Sequence, residues 1–256
     1  MAGSDSVQEG KFSLKEVLIA FQSCLTDNQE ILTDSYVSGW RGLVSESPHS
    51  TDVLKACDVL RSHKPDYNYK ARIAFMLSNL EERFMNSLGS IFSFISKDAV
   101  NKIQIMVTHR TGENGEKYET LQSMVKYELD NNLVDLQRRA EHPESGCRTL
   151  LRLHRALRWL ELFLEKLRTS TEDSKTSVMC TDAYNDSLAQ HHAWIIRKAA
   201  TAAFCALPGR AAFFQTMNVG STEQVVEMLR EAMPFISKVY EITEELYKQH
   251  NLLELP

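Results

Sequence analysis

Arg148 and Arg152 stand four residues apart in the stretch Gly146-Cys147-Arg148-Thr149-Leu150-Leu151-Arg152-Leu153-His154. On a helix that spacing stacks both side chains on one side. Two guanidinium groups in the first turns oppose the positive end of the helix dipole, so they call for a negative partner. Glu144 or solvent is the plain answer. A bound anion such as a phosphate, which matches arginine's planar fork, is the sharper one. Asp98 and Lys102 are also four apart, acid first, the favourable order for a helix-surface ion pair. His191-His192 and Cys180 are metal-ligating types, but adjacent helical residues point apart and no metal site is expected of them. Trp40, beside Arg41, reads either as ordinary packing or as an interfacial anchor with its ring at headgroup depth.

The residues of catalysis are missing. The sequence has no G-x-S-x-G, no H-E-x-x-H, no Walker loop and no zinc-spaced Cys/His set. His154 and His192 have no nucleophile beside them in sequence. These absences lower the expectation of an enzyme without excluding one, and no cofactor is expected.

The elements that must position these residues are helices. With 10 Gly and 6 Pro in 256 residues, and Leu, Ala, Glu and Lys abundant, the chain is expected to be all-α, with about eight helices. The arginine helix runs from the turn at His142-Pro143 through Leu167, with Leu150, Leu153, Leu157, Leu160 and Leu164 on one face. Ser13 and Glu16 suggest a capping box for a first helix bearing Leu14, Val17, Leu18, Phe21 and Leu25. A short amphipathic helix spans 31–44. A long one, from about Ala71 to Thr111, carries Phe84, Ile91, Phe92, Ile95 and Asp98. Further helices are expected over 118–140, 178–190 and 195–207, the last as a central buried element. Ser221 and Gln224 open a final helix to about His250, and Leu252, Leu253 and Leu255 should dock the tail. No heptad or 30- to 45-residue repeat is present.

Net charge is −5, so a general nucleic-acid binder is excluded and any basic site must be local. The five cysteines are scattered, which suits reduced thiols of a cytosolic protein. No apolar run reaches about 18 residues, so membrane contact is expected to be peripheral.

Three pieces together resemble the glycolipid transfer protein family: Asp98-Ala99-Val100-Asn101-Lys102, Gly146 to Leu157, and His191-His192-Ala193-Trp194. They stand in family order, with the ending Asn251-Leu252-Leu253-Glu254-Leu255-Pro256. The likeness is closest to the branch that carries ceramide-1-phosphate, and covers 12–44 and 83 to the C-terminus. It implies a two-layer helical sandwich, without enzyme activity, that takes one sphingolipid. Asp98 would bind the ceramide amide and hydroxyl, and His192 the amide carbonyl. Lys102, Arg148 and Arg152 would hold the phosphate. Phe84, Ile91, Phe92 and Ile95, facing Leu160, Phe163 and Leu164, would line the chain pocket, or be plain core. Arginine where glycolipid-binding relatives stack a sugar on an aromatic ring favours phosphate. Ala193 departs from the family's proline.

Residues 45–82 read as a 38-residue insertion within a single domain spanning 1–256. The implied partner is ceramide-1-phosphate, carried by a cytosolic monomer that touches Golgi, plasma and other membranes transiently. A glycosphingolipid carrier of the same fold and a non-transferring helical adapter remain alternatives.

Overall fold

A computed structural model describes residues 14–44, 90–136, 141–142, 144–216 and 220–256. The described elements are helical. They are α1 Leu14–Gln22, α2 Thr33–Val44, α3 Ser90–Thr111, α4 Leu121–Asp130, α5 Gly146–Thr169, α6 Thr176–Asn185, α7 Trp194–Phe204, α8 Arg210–Thr216 and α9 Thr222–Gln249, with 3-10 turns at Gly115–Tyr118 and Leu188–His191. The only β pairing among the described residues is two isolated bridges, Leu25 with Ile31 and Leu32 with Thr120.

Hydrophobic periodicity accounts for the packing. Leu14, Val17, Leu18 and Phe21 of α1 are buried as their three- and four-residue spacing requires. Helix α1 packs on α2 and α9, and α2 lies on α3. At the centre, α5 touches α3, α4, α6 and α9. Its buried Leu150, Leu153, Leu157, Leu160, Leu164 and Leu167 each contribute roughly 1.5–3 kcal/mol of apolar burial.

Three expected elements come out differently. The helix expected over 118–140 ends at Asp130. Asn132 adopts φ +55°, its N–H bonds to Leu129 O, and Leu133 N–H bonds to Glu128 O. That is a Schellman stop, which asparagine tolerates because it enters the left-handed region readily. The 178–190 segment begins earlier, at Thr176, and breaks after Asn185 before the 3-10 turn. The third is α7, which is not a central buried helix: Ala200, Ala203 and Phe204 turn inward, while Trp194 and Ile195 are 65% and 67% exposed.

The Ser221–Gln224 capping box is present, and α9 continues through Pro234 to Gln249. The tail docks as expected, with Leu252 and Leu255 buried. Cys24, Cys147 and Cys180 are buried free thiols and Cys205 an exposed one, whereas Cys57 lies outside the described residues. Ser13, residues 45–82 and the 71–89 part of the expected long helix also lie outside them.

Candidate functional site

The arginine helix is anchored from below by a buried acid. Glu128, on α4, is 1% exposed. Its carboxylate accepts Gly146 N–H at 2.6 Å, Cys147 N–H at 2.9 Å and the Tyr118 hydroxyl at 3.0 Å. Two of the four orphan donors at the start of α5 are thereby satisfied, and a negative charge faces the positive end of the dipole. Ser145 Oγ caps the same end by accepting Arg148 N–H. Glycine at 146 gives the carboxylate close access, because a Cβ there would lie 2.5 Å from Met124 Sδ and 3.0 Å from Glu128 Oε1 and would force those side chains to shift. His109 Nε2 and Glu144 O, 2.7 Å apart, join α3 to the turn before α5.

Above this anchor the two arginines converge on the chain's own tail. Arg148 Nε donates to Pro256 O at 2.6 Å, and Arg152 Nη2 donates to the same oxygen at 2.9 Å. Arg152 Nη1 also donates to Arg148 O at 2.9 Å. One turn further along, Arg155 Nη2 donates to Leu253 O at 2.6 Å.

A second group gathers on α3 and the segment leading into α7. Lys102 forms an ion pair with Asp98. The lysine side chain is largely buried, whereas the Asp98 side chain is 64% exposed. With one helical neighbour and otherwise open to water, it is free to take further donors. His192 sits in the electrostatic reach of both: burial lowers its pKa, Asp98 raises it and Lys102 lowers it. Its Nδ1 lies 2.7 Å from the Tyr184 hydroxyl. Burial also raises the Tyr184 pKa, so its proton is retained. Donation by that hydroxyl leaves the imidazole proton on Nε2.

The structure thus draws Asp98, Lys102 and His192 into one neighbourhood and Arg148 with Arg152 into another, on packed helices α3 and α5. Sequence reading missed Glu128, Tyr184 and the Pro256 main-chain oxygen. Glu128 looks like any acid of an amphipathic helix, and backbone oxygens carry no signal in residue type.

Trp40 requires a correction. It is 5% exposed and packs edge-on against Phe21 at 6.4 Å, so it belongs to the core and not to a membrane-facing surface. The exposed tryptophan is Trp194, with Ile195 and Ile196 beside it and Lys198 near its ring. Leu160, Phe163 and Leu164 are buried, and Phe163 contacts Trp159 and Phe213. Phe84 lies outside the described residues, and Ile91, Phe92 and Ile95 are described only as helical backbone. A groove of about 380 Å³ between α5 and α9, lined by Leu162, Arg168, Arg230 and Met233 among others, shares no residue with either predicted set. Among the described residues, the grouping close enough to hold a metal is Asp135, Glu141 and His142, not His191, His192 and Cys180.

The described helices make an all-α fold with a charged face, and likeness to known proteins places it in a family. The model of the Glycolipid transfer protein (GLTP) family matches residues 77–219. The chain belongs to the glycolipid transfer protein family. It is 58% identical to the ceramide-1-phosphate transfer protein of Xenopus tropicalis, over 98% of this chain and 100% of the relative. Among solved structures, the apo form of mouse ceramide-1-phosphate transfer protein superimposes with a TM-score of 0.78 at 50% identity, covering 96% of this chain and 100% of that one. The human protein in complex with 2:0 ceramide-1-phosphate gives a TM-score of 0.77 at 49% identity, with the same coverage. The fold is the all-helical sandwich of that family. No described helix is long and apolar enough to cross a membrane.

Proposed function

We propose that this protein transfers ceramide-1-phosphate between membranes by a non-vesicular route, binding one lipid at a time. The observation that supports this best is the convergence of Arg148 and Arg152 on a single oxygen, 2.6 and 2.9 Å from their nitrogens. Two guanidinium groups aimed at one point suit a phosphate monoester, whose charge is about −1.5 to −2 at neutral pH. Lys102 supplies the third cation. Asp98, exposed, accepts from the ceramide amide N–H and hydroxyl. His192 Nε2–H donates to the amide carbonyl, its tautomer set by Tyr184. The chains enter beside Leu160, Phe163 and Leu164. The relatives that carry the name are ceramide-1-phosphate transfer proteins, and one is solved with that lipid bound.

Membrane contact falls in this reading to Trp194, Ile195 and Ile196, with Arg197 and Lys198 flanking them. An exposed aromatic and aliphatic cluster with adjacent cations suits an interfacial helix. The protein would work as a cytosolic monomer that visits membrane surfaces, as one domain in which residues 45–82 are inserted, and without chemistry on its cargo.

Transfer of ceramide-1-phosphate between donor and acceptor vesicles, measured against galactosylceramide in the same vesicles, tests the reading. Faster transfer of the phosphorylated lipid, recovered unchanged by mass spectrometry, is expected. Preference for the sugar lipid would make this a glycosphingolipid carrier, no transfer of either would make it an adapter, and altered lipid would make it an enzyme.

A further inference from the structure

We infer that the docked tail, residues 250–256, is a positioning element of the phosphate site, and that its main-chain oxygens set headgroup selectivity. The inference rests on the reading of Arg148 and Arg152 as phosphate ligands.

Three features carry it. First, the tail is steered there by a defined stop. Asn251 has φ +56°, its N–H bonds to Lys248 O at 3.2 Å, and Leu252 N–H bonds to Tyr247 O at 2.8 Å. This Schellman motif reverses the chain at the end of α9 and places Leu252 at the position that makes the accompanying apolar contact. Second, the tail is held by burial: Leu252 is fully buried and Leu255 is 5% exposed. Third, Arg148, Arg152 and Arg155 recur at four- and three-residue spacing along one face of α5, and all three donate to main-chain oxygens of the tail.

Two like charges one turn apart repel, and the helix dipole at that end opposes both. A shared acceptor offsets part of that repulsion and fixes where each planar fork points. Preorganised forks lose less conformational entropy when an anion arrives. The acceptors are main-chain oxygens, so what matters in the tail's sequence is the pair of leucines that seat it.

The test compares affinity for ceramide-1-phosphate with affinity for ceramide of the same chain length, presented in phosphatidylcholine vesicles. Leu255→Asp should unseat the tail. The expected result is a fall of about tenfold in the preference for the phosphorylated lipid, with ceramide affinity unchanged and with Leu255→Met restoring the preference. A loss of fold would lower both affinities together. For that case Arg155→Leu, which cuts the Leu253 tether and leaves the leucines in place, gives the deciding measurement, with a smaller drop in the same ratio expected. An unchanged ratio in a folded variant overturns the inference. A raised ratio also overturns it, because the tail would then be a plug that competes with phosphate. Absence of any preference in the unsubstituted protein would instead overturn the phosphate reading itself.

Discussion

The two halves of the proposed headgroup site are built in opposite ways. Arg148 and Arg152 are held by partners more than 100 residues away in sequence, and their helix starts on a buried carboxylate. Asp98 and Lys102 hold each other within one helix turn, and the carboxylate is open to water. His192 continues into an exposed apolar cluster at Trp194 and Ile195. One wall is tied into the fold by distant partners, and the other pairs locally and opens to water. A carrier has to recognise its cargo selectively and also release it, and an anchored cation pair beside a solvent-open carboxylate suits both needs. Damage to the locked wall should therefore lower stability and phosphate selectivity. Damage to the open wall should lower membrane contact and leave the fold intact.

The strongest way to break that comparison is Glu128→Ala. It leaves two N–H donors and the Tyr118 hydroxyl without their acceptor in a buried place. Stability should fall by about 3 kcal/mol, read from urea unfolding. A variant as stable as the original would mean that the start of α5 is not anchored there. Next is Arg148→Leu, which removes a charged donor and leaves the leucine stripe untouched. Affinity for ceramide-1-phosphate should drop by roughly a hundredfold, with ceramide binding unchanged. Equal losses for both lipids would show that the arginine acts through the fold alone.

How much of this was legible in the sequence follows the same division. Contacts within one helix could be read from spacing, so the Asp98–Lys102 pair, the leucine face of α5 and the Ser221 box are where periodicity put them. Contacts between distant segments could not. Nothing in residue types says that Pro256 O meets Arg148, or that Glu128 lies beneath Gly146. Composition also misled at α7. Its run of small and apolar residues looks like core, yet only Ala200, Ala203 and Phe204 are buried, and Trp194, Ile195 and Ile196 at its start are exposed. Trp40 failed in the reverse direction, because a tryptophan beside an arginine is as compatible with a core edge as with a membrane interface.

The two tryptophans sharpen the comparison from opposite sides. Trp194→Ala should weaken adsorption to anionic vesicles by about tenfold, with the melting temperature unchanged. Trp40→Ala should do the opposite, costing about 3 kcal/mol of stability while the adsorption of the remaining folded protein is unaltered. Reversal of the two outcomes in a sedimentation assay paired with a thermal melt would restore Trp40 as the membrane residue.

The smallest effect concerns His192 at the seam of the two walls. Burial is the leading cause that holds its pKa below 6.5, with Asp98 raising it and Lys102 lowering it. In the unfolded chain the ring takes a proton near its ordinary value, so between the lowered value and 6.5 the unfolded state binds more protons. The contribution to stability is therefore present above 6.5 and is lost as pH falls through the folded-state value. His191 is lowered too, by burial first and then by Arg155, and it stays in place in both proteins compared. Between about pH 7.5 and about pH 5.5, the unsubstituted protein should lose more thermal stability than His192→Gln. Equal losses would mean that the imidazole is as well hydrated in the fold as outside it. The ring would then be solvated as the Asp98 carboxylate is, and the open wall would extend to His192.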